Sequence, residues 1–152
     1  MFEVLVFIFE NYSNHQMMPK DDSLVEELSQ AGFKHHDILG AFDWYKQLTQ
    51  MMSEPVVKYT STLPCLRVYT ALELKKIDTE SLSFILFLEQ AKVIAPYERD
   101  LIIDRAMALH QQKITIEETR WITMMALWND NRKKDYLFVE DAIFNPRGLT
   151  LH

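Results

Sequence analysis

The residues that could perform chemistry in this chain are few, and each has a simpler structural interpretation. His35, His36 and Asp37 are three consecutive residues whose side chains can bind metals. Neighbouring side chains on a helix point about 100° apart and do not readily share one ion. The pattern therefore favours a polar helix start, and no metal site is predicted.

Two carboxylates, Asp100 and Asp104, lie one helical turn apart, a spacing that general acid–base catalysis can use. Arg99 and Arg105 flank the pair, so a solvated charged helix face is the favoured interpretation. Cys65, the single cysteine, has neither a base nor a helix start beside it to activate its thiol. We therefore predict no catalytic residue and no enzyme.

Motifs that bind phosphates or cofactors are absent from the sequence. Three glycines are too few for a P-loop or a dinucleotide fingerprint, so no cofactor is predicted. A single cysteine excludes an intramolecular disulfide and fits a reducing compartment. The apolar run from Val4 to Phe9 is too short for a membrane span or a secretory leader. We expect a cytoplasmic protein without a membrane partner.

The distribution of charge favours a protein partner over nucleic acid. The net charge is −6, and residues 1–50 contain eight acids and three bases. Such a region repels a phosphate backbone, because nucleic-acid affinity comes largely from Lys and Arg. The compact basic run Arg132-Lys133-Lys134 is more typical of a solvated helix start or turn. It leaves one alternative open, an accessory factor that contacts DNA or RNA through this small patch.

Few helix breakers interrupt the chain, which has three glycines and five scattered prolines. Apolar residues recur at helical spacing, and three capping boxes predict helix starts: Ser23–Glu26, Thr70–Glu73 and Thr115–Glu118. Pro96 suits the first turn of a further helix. The run from Trp121 to Trp128 is apolar around its whole circumference, which predicts a buried helix.

The predicted architecture is mainly α-helical and has two lobes. We predict an acidic three-helix lobe at residues 1–51, and a bundle of four to five helices at residues 70–146 followed by a tail at 147–152. Between them, β-branched and aromatic residues at 52–69 indicate an extended linker or a short β-hairpin.

A candidate partner-binding site lies at the predicted turn after the second helix. Gly32 suits the left-handed conformation that ends a helix, and Phe33 is then either a staple for that helix end or an anchor for a partner. Asp37 and Asp43 follow, and they would select a partner with a basic surface. Met51-Met52, at the edge of the first lobe, also suits an interaction surface because methionine is adaptable.

The same stretch, residues 28–42, is similar to two small helical modules, the ubiquitin-associated domain and the helix-turn-helix. A recognition helix needs basic or amide residues on its outer face, and Asp37, Asp43, Trp44 and Lys46 meet that need poorly. A protein partner is therefore favoured over DNA. Fold analogy of this kind does not itself establish a function.

Fragments spread over the whole chain resemble the bacterial Smg proteins. They are Met1–Leu5, Ala31–Phe33 followed by Asp37–Ile38, Leu66–Thr70, Phe87–Gln90, Trp121 and the terminal Leu151-His152. The resemblance implies a bacterial cytoplasmic protein without an assigned activity, whose gene is often found near that of a DNA-processing protein. It supplies no catalytic residues. The expected function is that of a non-enzymatic interaction or adaptor protein with an unidentified protein partner.

Overall fold

The computed structural model describes residues 1–12, 21–53 and 67–129, together with Val139 and Asp141. In chain order the helices are α1 Phe2–Tyr12, α2 Asp21–Gln30, α3 His35–Ser53, α4 Ala71–Lys76, α5 Thr79–Gln90, α6 Pro96–Met107 and α7 Ile116–Asn129. These described ranges contain one β-type contact, an isolated parallel bridge between Ile77 and Ile114. The prediction of a mainly α-helical protein is confirmed.

The first three helices pack through apolar residues at helical spacing. In α1 and α3 the buried side chains are Val4, Leu5, Ile8, Phe9, Ile38, Ala41, Trp44 and Leu48. From α2, Leu24 and Leu28 complete this part of the core. The helix starts at Asp21, so Ser23 lies inside the first turn and is not the helix cap that its capping box predicts. The observed start of α2 differs from the predicted start because the acidic residues before Ser23 also favour the beginning of a helix.

The turn between α2 and α3 has the predicted geometry. Gly32 has a φ angle of +94°, in the left-handed region where a residue with a Cβ is strained. The amide of Phe33 donates to the carbonyl of Leu28 at 3.1 Å, and the amide of Gly32 donates to the carbonyl of Ser29 at 3.1 Å. This pair of hydrogen bonds is a Schellman motif, which satisfies the last carbonyls of α2.

Helix α7 lies at the centre of the fold. All residues from Trp121 to Leu127 are buried, and the helix contacts α1, α3, α5 and α6. The ring of Phe9 meets Trp121 and Trp128 edge-on, with centroids 6.2 and 6.1 Å apart. The prediction of a buried, structural helix is confirmed for this run, in which only Trp128 is partly exposed.

The division into two lobes is not confirmed, because side chains from both predicted lobes form one continuous core. The indole N–H of Trp44 in α3 donates to the carbonyl of Arg105 in α6 at 2.9 Å. Helix α3 also extends through Ser53, beyond the predicted lobe boundary at residue 51. Residues 54–66 lie outside the described residues, so the predicted hairpin stays a prediction.

The second half of the chain begins with a short helix that ends at an extended residue. Thr70 caps α4 with the predicted capping box, but α4 ends at Lys76. Ile77 is extended and pairs with Ile114, after which Asp78 caps α5 by accepting from the amide of Ser81 at 2.7 Å. Pro96 occupies the first turn of α6, as predicted.

The end of the chain is described only at two residues, Val139 and Asp141, which are both helical. Val139 is fully buried in the common core. The predicted tail at 147–152 lies outside the described residues. Among the helices that are described, none is long and apolar enough to cross a membrane.

Candidate functional site

The predicted partner site at the α2–α3 turn lies among the described residues. Gly32 is exposed, and Phe33 is half-buried with its ring edge-on to Phe7 of α1 at 5.5 Å. This contact packs Phe33 against α1, whereas the staple interpretation concerns the end of α2. The role of the turn in binding a partner stays a prediction.

The two acids of that predicted site lie apart and have different surroundings. The α-amino group of Met1 donates to Oδ1 of Asp37 at 2.8 Å, and this hydrogen bond holds the pKa of Asp37 below its usual value. Asp43 is exposed and accepts a hydrogen bond from Gln47 at 2.7 Å. The two residues are six positions apart, so they point to different sides of α3. Whether Asp43 acts together with Gly32 and Phe33 in binding a partner stays a prediction.

Two other groups considered from the sequence are a pair of histidines and the basic run. His35 and His36 are exposed at the start of α3, and no cluster of three metal-capable side chains occurs in the part of the chain that is described. Arg132, Lys133 and Lys134 lie outside the described residues, so their contact with nucleic acid stays a prediction.

Among the described residues, the apolar side chains with the largest exposed fractions lie in one segment, which was not predicted as a site. Val68 is 84% exposed and Leu72 is 71% exposed, and Leu74 is also exposed. No residue of α4 is buried, although the helix carries two leucines. We call the segment from Arg67 to Leu74 the α4 surface. Three strongly exposed apolar side chains within seven residues are unusual, whereas single exposed apolar residues are ordinary.

Polar contacts hold α4 on the body of the protein. Glu73 accepts from the Arg67 guanidinium at 2.7 Å and from the amide of Thr70 at 2.8 Å. Burial acts to raise the pKa of Glu73, but these hydrogen bonds outweigh it and hold the pKa below its usual value. Lys76 donates to the carbonyls of Met107 and Leu109 at 2.8 and 2.6 Å, and burial lowers its pKa. The leucines of α4 are therefore not needed to attach it.

An ion-pair network connects this surface to α6 and α5. Arg67 contacts Asp100 at 2.8 Å, and Asp100 also accepts from Arg99 at 3.1 Å. Arg99 then pairs with Glu89 at 2.8 Å. The sequence interpretation of Asp100 as part of a charged helix face agrees with these contacts, since both of its arginine partners stabilise its negative charge.

A cleft of about 460 Å³ lies between the end of α3, one face of α6 and α7. The described residues that line it are Met51, Met52, Tyr97, Glu98, Asp100, Leu101, Asp104 and Ala126. The apolar members can bury a partner's side chain, and three of the lining residues are carboxylates. The lining of the cleft therefore combines apolar side chains with carboxylates, and arginines pair with two of these, Asp100 and Asp104.

Asp104 in this lining is oriented by a buried arginine. Arg105 is 5% exposed and donates to Oδ2 of Asp104 through Nε and Nη2, at 3.0 and 2.6 Å. The same guanidinium donates to Oε1 of Gln47 at 3.0 Å and to the carbonyl of Trp44 at 3.4 Å. Because Arg105 is fixed from three sides, the carboxylate of Asp104 is held in one position.

Sequence reasoning missed the cleft and the α4 surface, and it identified only some of their residues. Met51-Met52 was predicted as an adaptable edge, and Asp100 and Asp104 were noted as a pair. Leu66–Thr70 was considered as a family fragment, as the end of the linker and as the start of a helix, but not as a site. The sequence contained one signal for the α4 surface. The helix that begins after the Thr70 capping box is short, and it carries two leucines and two lysines.

Comparison with known proteins gives matches over the whole chain. A family model described as Protein of unknown function (DUF494) matches residues 1–152. A protein from Methylobacillus flagellatus named Protein Smg homolog is 51% identical over 152 residues, which cover 100% of both chains. A protein of that name from Nitrosococcus oceani is 35% identical over 99% of this chain and 96% of its own length. Another from Bordetella petrii is 35% identical over 100% of both chains. No solved structure matches.

Proposed function

The chain belongs to the family described as Protein of unknown function (DUF494), and from its own surface we propose that it is a non-enzymatic protein that binds another protein. The observation that carries this proposal is the α4 surface. Val68 and Leu72 are 84% and 71% exposed on a segment that Lys76 and the Arg67–Asp100 ion pair attach to the body. A partner that covered them would gain about 1.5–3 kcal/mol for each side chain fully buried.

The charged groups of the described residues support a non-enzymatic role. Those whose pKa shifts clearly are Tyr12, Asp37, Glu73, Lys76 and Arg99, and each shift follows from a structural partner or from burial. In Tyr12, for example, a hydrogen bond to Glu27 raises the pKa to about 12. Perturbed groups of catalytic sites converge in one cleft. Here Tyr12 and Asp37 lie in separate contacts, and Glu73 and Arg99 belong to one network of ion pairs that accounts for their shifts.

Affinity capture with paired variants tests the proposal. The tagged full chain is used to capture proteins from a bacterial extract, and the double variant Val68→Ser with Leu72→Ser is compared with the parent. The matched control is Leu39→Ser, which alters a side chain that is 50% exposed on α3, close to the α2–α3 turn. We expect the double variant to lose the stoichiometric partner and to keep the melting temperature of the parent.

Two results would contradict this function. If the parent retains no stoichiometric protein, the chain does not act by stable protein binding. If Leu39→Ser releases the partner and the double variant retains it, binding uses the α2–α3 turn and the α4 surface is not the site. Both results require that the variants keep the melting temperature of the parent, because this shows that they are folded.

A further inference from the structure

We propose that the partner of the α4 surface carries an acidic side chain among its apolar ones, and that this carboxylate pairs with Lys75. The inference deepens the proposed function, because it rests on the α4 surface binding a protein and names the chemistry of that protein. Lys75 directly follows the α4 surface in the same helix and is exposed. The expected occupant is an acidic, apolar segment of another protein.

Helix α4 has an outer face on which a lysine lies between two leucines. The side chain of Glu73 is only 13% exposed, and Lys76 donates to two carbonyls at the end of α6, so the side of α4 that carries them is turned inward. At about 100° per residue, Leu72 and Leu74 project to either side of that inner face, and Lys75 projects away from it. All three are exposed.

Lys75 is the charge of this region that is available to a partner. Arg67 already pairs with Glu73 and with Asp100, at 2.7 and 2.8 Å. The ammonium group of Lys76 is used by the carbonyls that it contacts. Lys75, in contrast, has no ion pair or hydrogen bond with any residue that the structure describes. Its ammonium group can therefore bind a new carboxylate without breaking an existing contact.

Covering the two leucines brings a partner over this lysine. Because Lys75 lies between Leu72 and Leu74 on the outer face, a partner that buries both leucines also removes water from the ammonium group. Burying a charge is costly unless the charge is paired and hydrogen-bonded, so an entirely apolar partner would lose part of the stabilisation that the leucines provide. A carboxylate in the partner offsets this cost through a charge-assisted hydrogen bond.

Two other occupants fit this surface less well. In a symmetric pair of chains, residues near the two-fold axis meet their own copies, so the two Lys75 side chains would approach each other. An anionic membrane attracts clusters of about four to eight basic residues, whereas the outer face of α4 offers one lysine on a chain with a net charge of −6. An acidic segment of a different protein has neither disadvantage.

Binding of three synthetic peptides tests the inference. Each is a labelled amphipathic helix with leucines on one side, and the residues that border the leucines are all glutamate, all glutamine or all lysine. In fluorescence anisotropy, the parent should bind the glutamate peptide about tenfold more tightly than the glutamine peptide, the equivalent of about 1.4 kcal/mol. The lysine peptide should bind most weakly. General attraction to a chain with a net charge of −6 would give the opposite order.

Substitutions at Lys75 test whether this residue sets the preference. Lys75→Glu should bind the lysine peptide more tightly than the glutamate peptide, whereas Lys75→Arg keeps the charge and should keep the order of the parent. The matched control is Lys46→Glu, which makes the same change of charge at an exposed position of α3 and should also keep that order. Melting temperatures verify that each variant is folded.

The inference is overturned if the parent binds none of the peptides, or binds the glutamate and glutamine peptides equally. It is also overturned if Lys46→Glu and Lys75→Glu weaken binding of the glutamate peptide alike. A fourth contrary result is sedimentation of the parent with phosphatidylglycerol vesicles that Lys75→Glu abolishes, because the surface would then contact a membrane.

The capture experiment with Val68→Ser and Leu72→Ser separates failure of this inference from failure of the proposed function. If the double variant loses the captured partner while the parent binds the glutamate and glutamine peptides equally, the α4 surface binds a protein and only its acidic chemistry is wrong. If the parent captures no stoichiometric protein, the proposed function itself fails.

Discussion

Replacing Trp44 by phenylalanine tests whether the two predicted lobes fold as one unit. The indole N–H of Trp44 donates to the carbonyl of Arg105 at 2.9 Å, and Trp44 is 3% exposed. Phenylalanine keeps an aromatic ring but removes the donor, so the carbonyl loses its partner inside the core. Leaving a buried acceptor unpaired costs about 1–3 kcal/mol, and the smaller ring adds the cost of a cavity.

The total effect of Trp44→Phe on the free energy of unfolding should be about 3 kcal/mol. For a chain of this length, each kcal/mol shifts the melting temperature by about 2–4 °C, so we expect a decrease of about 6–12 °C. Urea unfolding is followed by circular dichroism and by the fluorescence of Trp121 and Trp128, which report on α7. The two curves should coincide, since one core connects α3 with α6 and α7.

The control for this experiment is Lys46→Ala, an exposed substitution in the same helix, which should change stability by less than about 0.5 kcal/mol. The reasoning is refuted if Trp44→Phe destabilises the protein no more than Lys46→Ala does. It is also refuted if circular dichroism and fluorescence report two separate unfolding transitions and Trp44→Phe shifts only the transition at lower urea concentration. That result would support the predicted division into independent lobes.

Three further substitutions test single contacts. Lys92 has a φ angle of 57°, in the left-handed region. Lys92→Gly should raise the free energy of unfolding by about 0.5–1 kcal/mol in urea titrations, because the relief of strain exceeds the entropic cost of glycine. An unchanged unfolding midpoint would disprove the strain. Trp121→Ala should cost about 3–5 kcal/mol as a core cavity, and parent-like thermal stability would contradict its structural role. Asp37 has a lowered pKa, so its ion pair stabilises the fold above the unfolded pKa and is lost as the pH falls through the folded value. Asp37→Asn should therefore lower the melting temperature at neutral pH, and the difference from the parent should begin to shrink at about pH 4 and vanish only below the lowered pKa of Asp37; a difference independent of pH would refute this.

Elements that depend on a few neighbouring residues could be predicted from the sequence. The Thr70 capping box, the left-handed Gly32 and the first-turn Pro96 all appear as expected, since each needs only local hydrogen bonds or a fixed φ angle. The apolar circumference around Trp121 likewise predicted its burial. The resemblance to the Smg proteins was confirmed by relatives that match over the full chain.

Features that depend on distant residues could not be predicted in this way. Helix α4 ends at Lys76 because Ile77 pairs with Ile114, which is far along the chain. The left-handed residue after α5 is Lys92, which carries none of the sequence signal that glycine gives. The continuous core also depends on how α3 crosses α6, and periodicity within one helix contains no information on that crossing.

The candidate site shows the same limit at the level of function. Met51-Met52 and the pair Asp100 and Asp104 were visible in the sequence, but only the packing of α3 on α6 brings them to one cleft. The charge of the pair did not reveal that Arg105 fixes one oxygen of Asp104 and leaves the other available. The cleft is formed by ordinary residues of different helices, so no sequence motif marks it.

The α4 surface is the place where local rules and the observed packing disagree. A helix with a good cap and two leucines would normally bury its apolar side, yet Leu72 is 71% exposed and the segment is attached by Lys76 and by the Arg67–Asp100 ion pair. Natural sequences satisfy such rules in most places, and violations concentrate at functional sites. If attachment alone were the role of α4, apolar contacts would serve it at least as well as a half-buried lysine. The outward leucines are therefore better explained by a partner than by the fold.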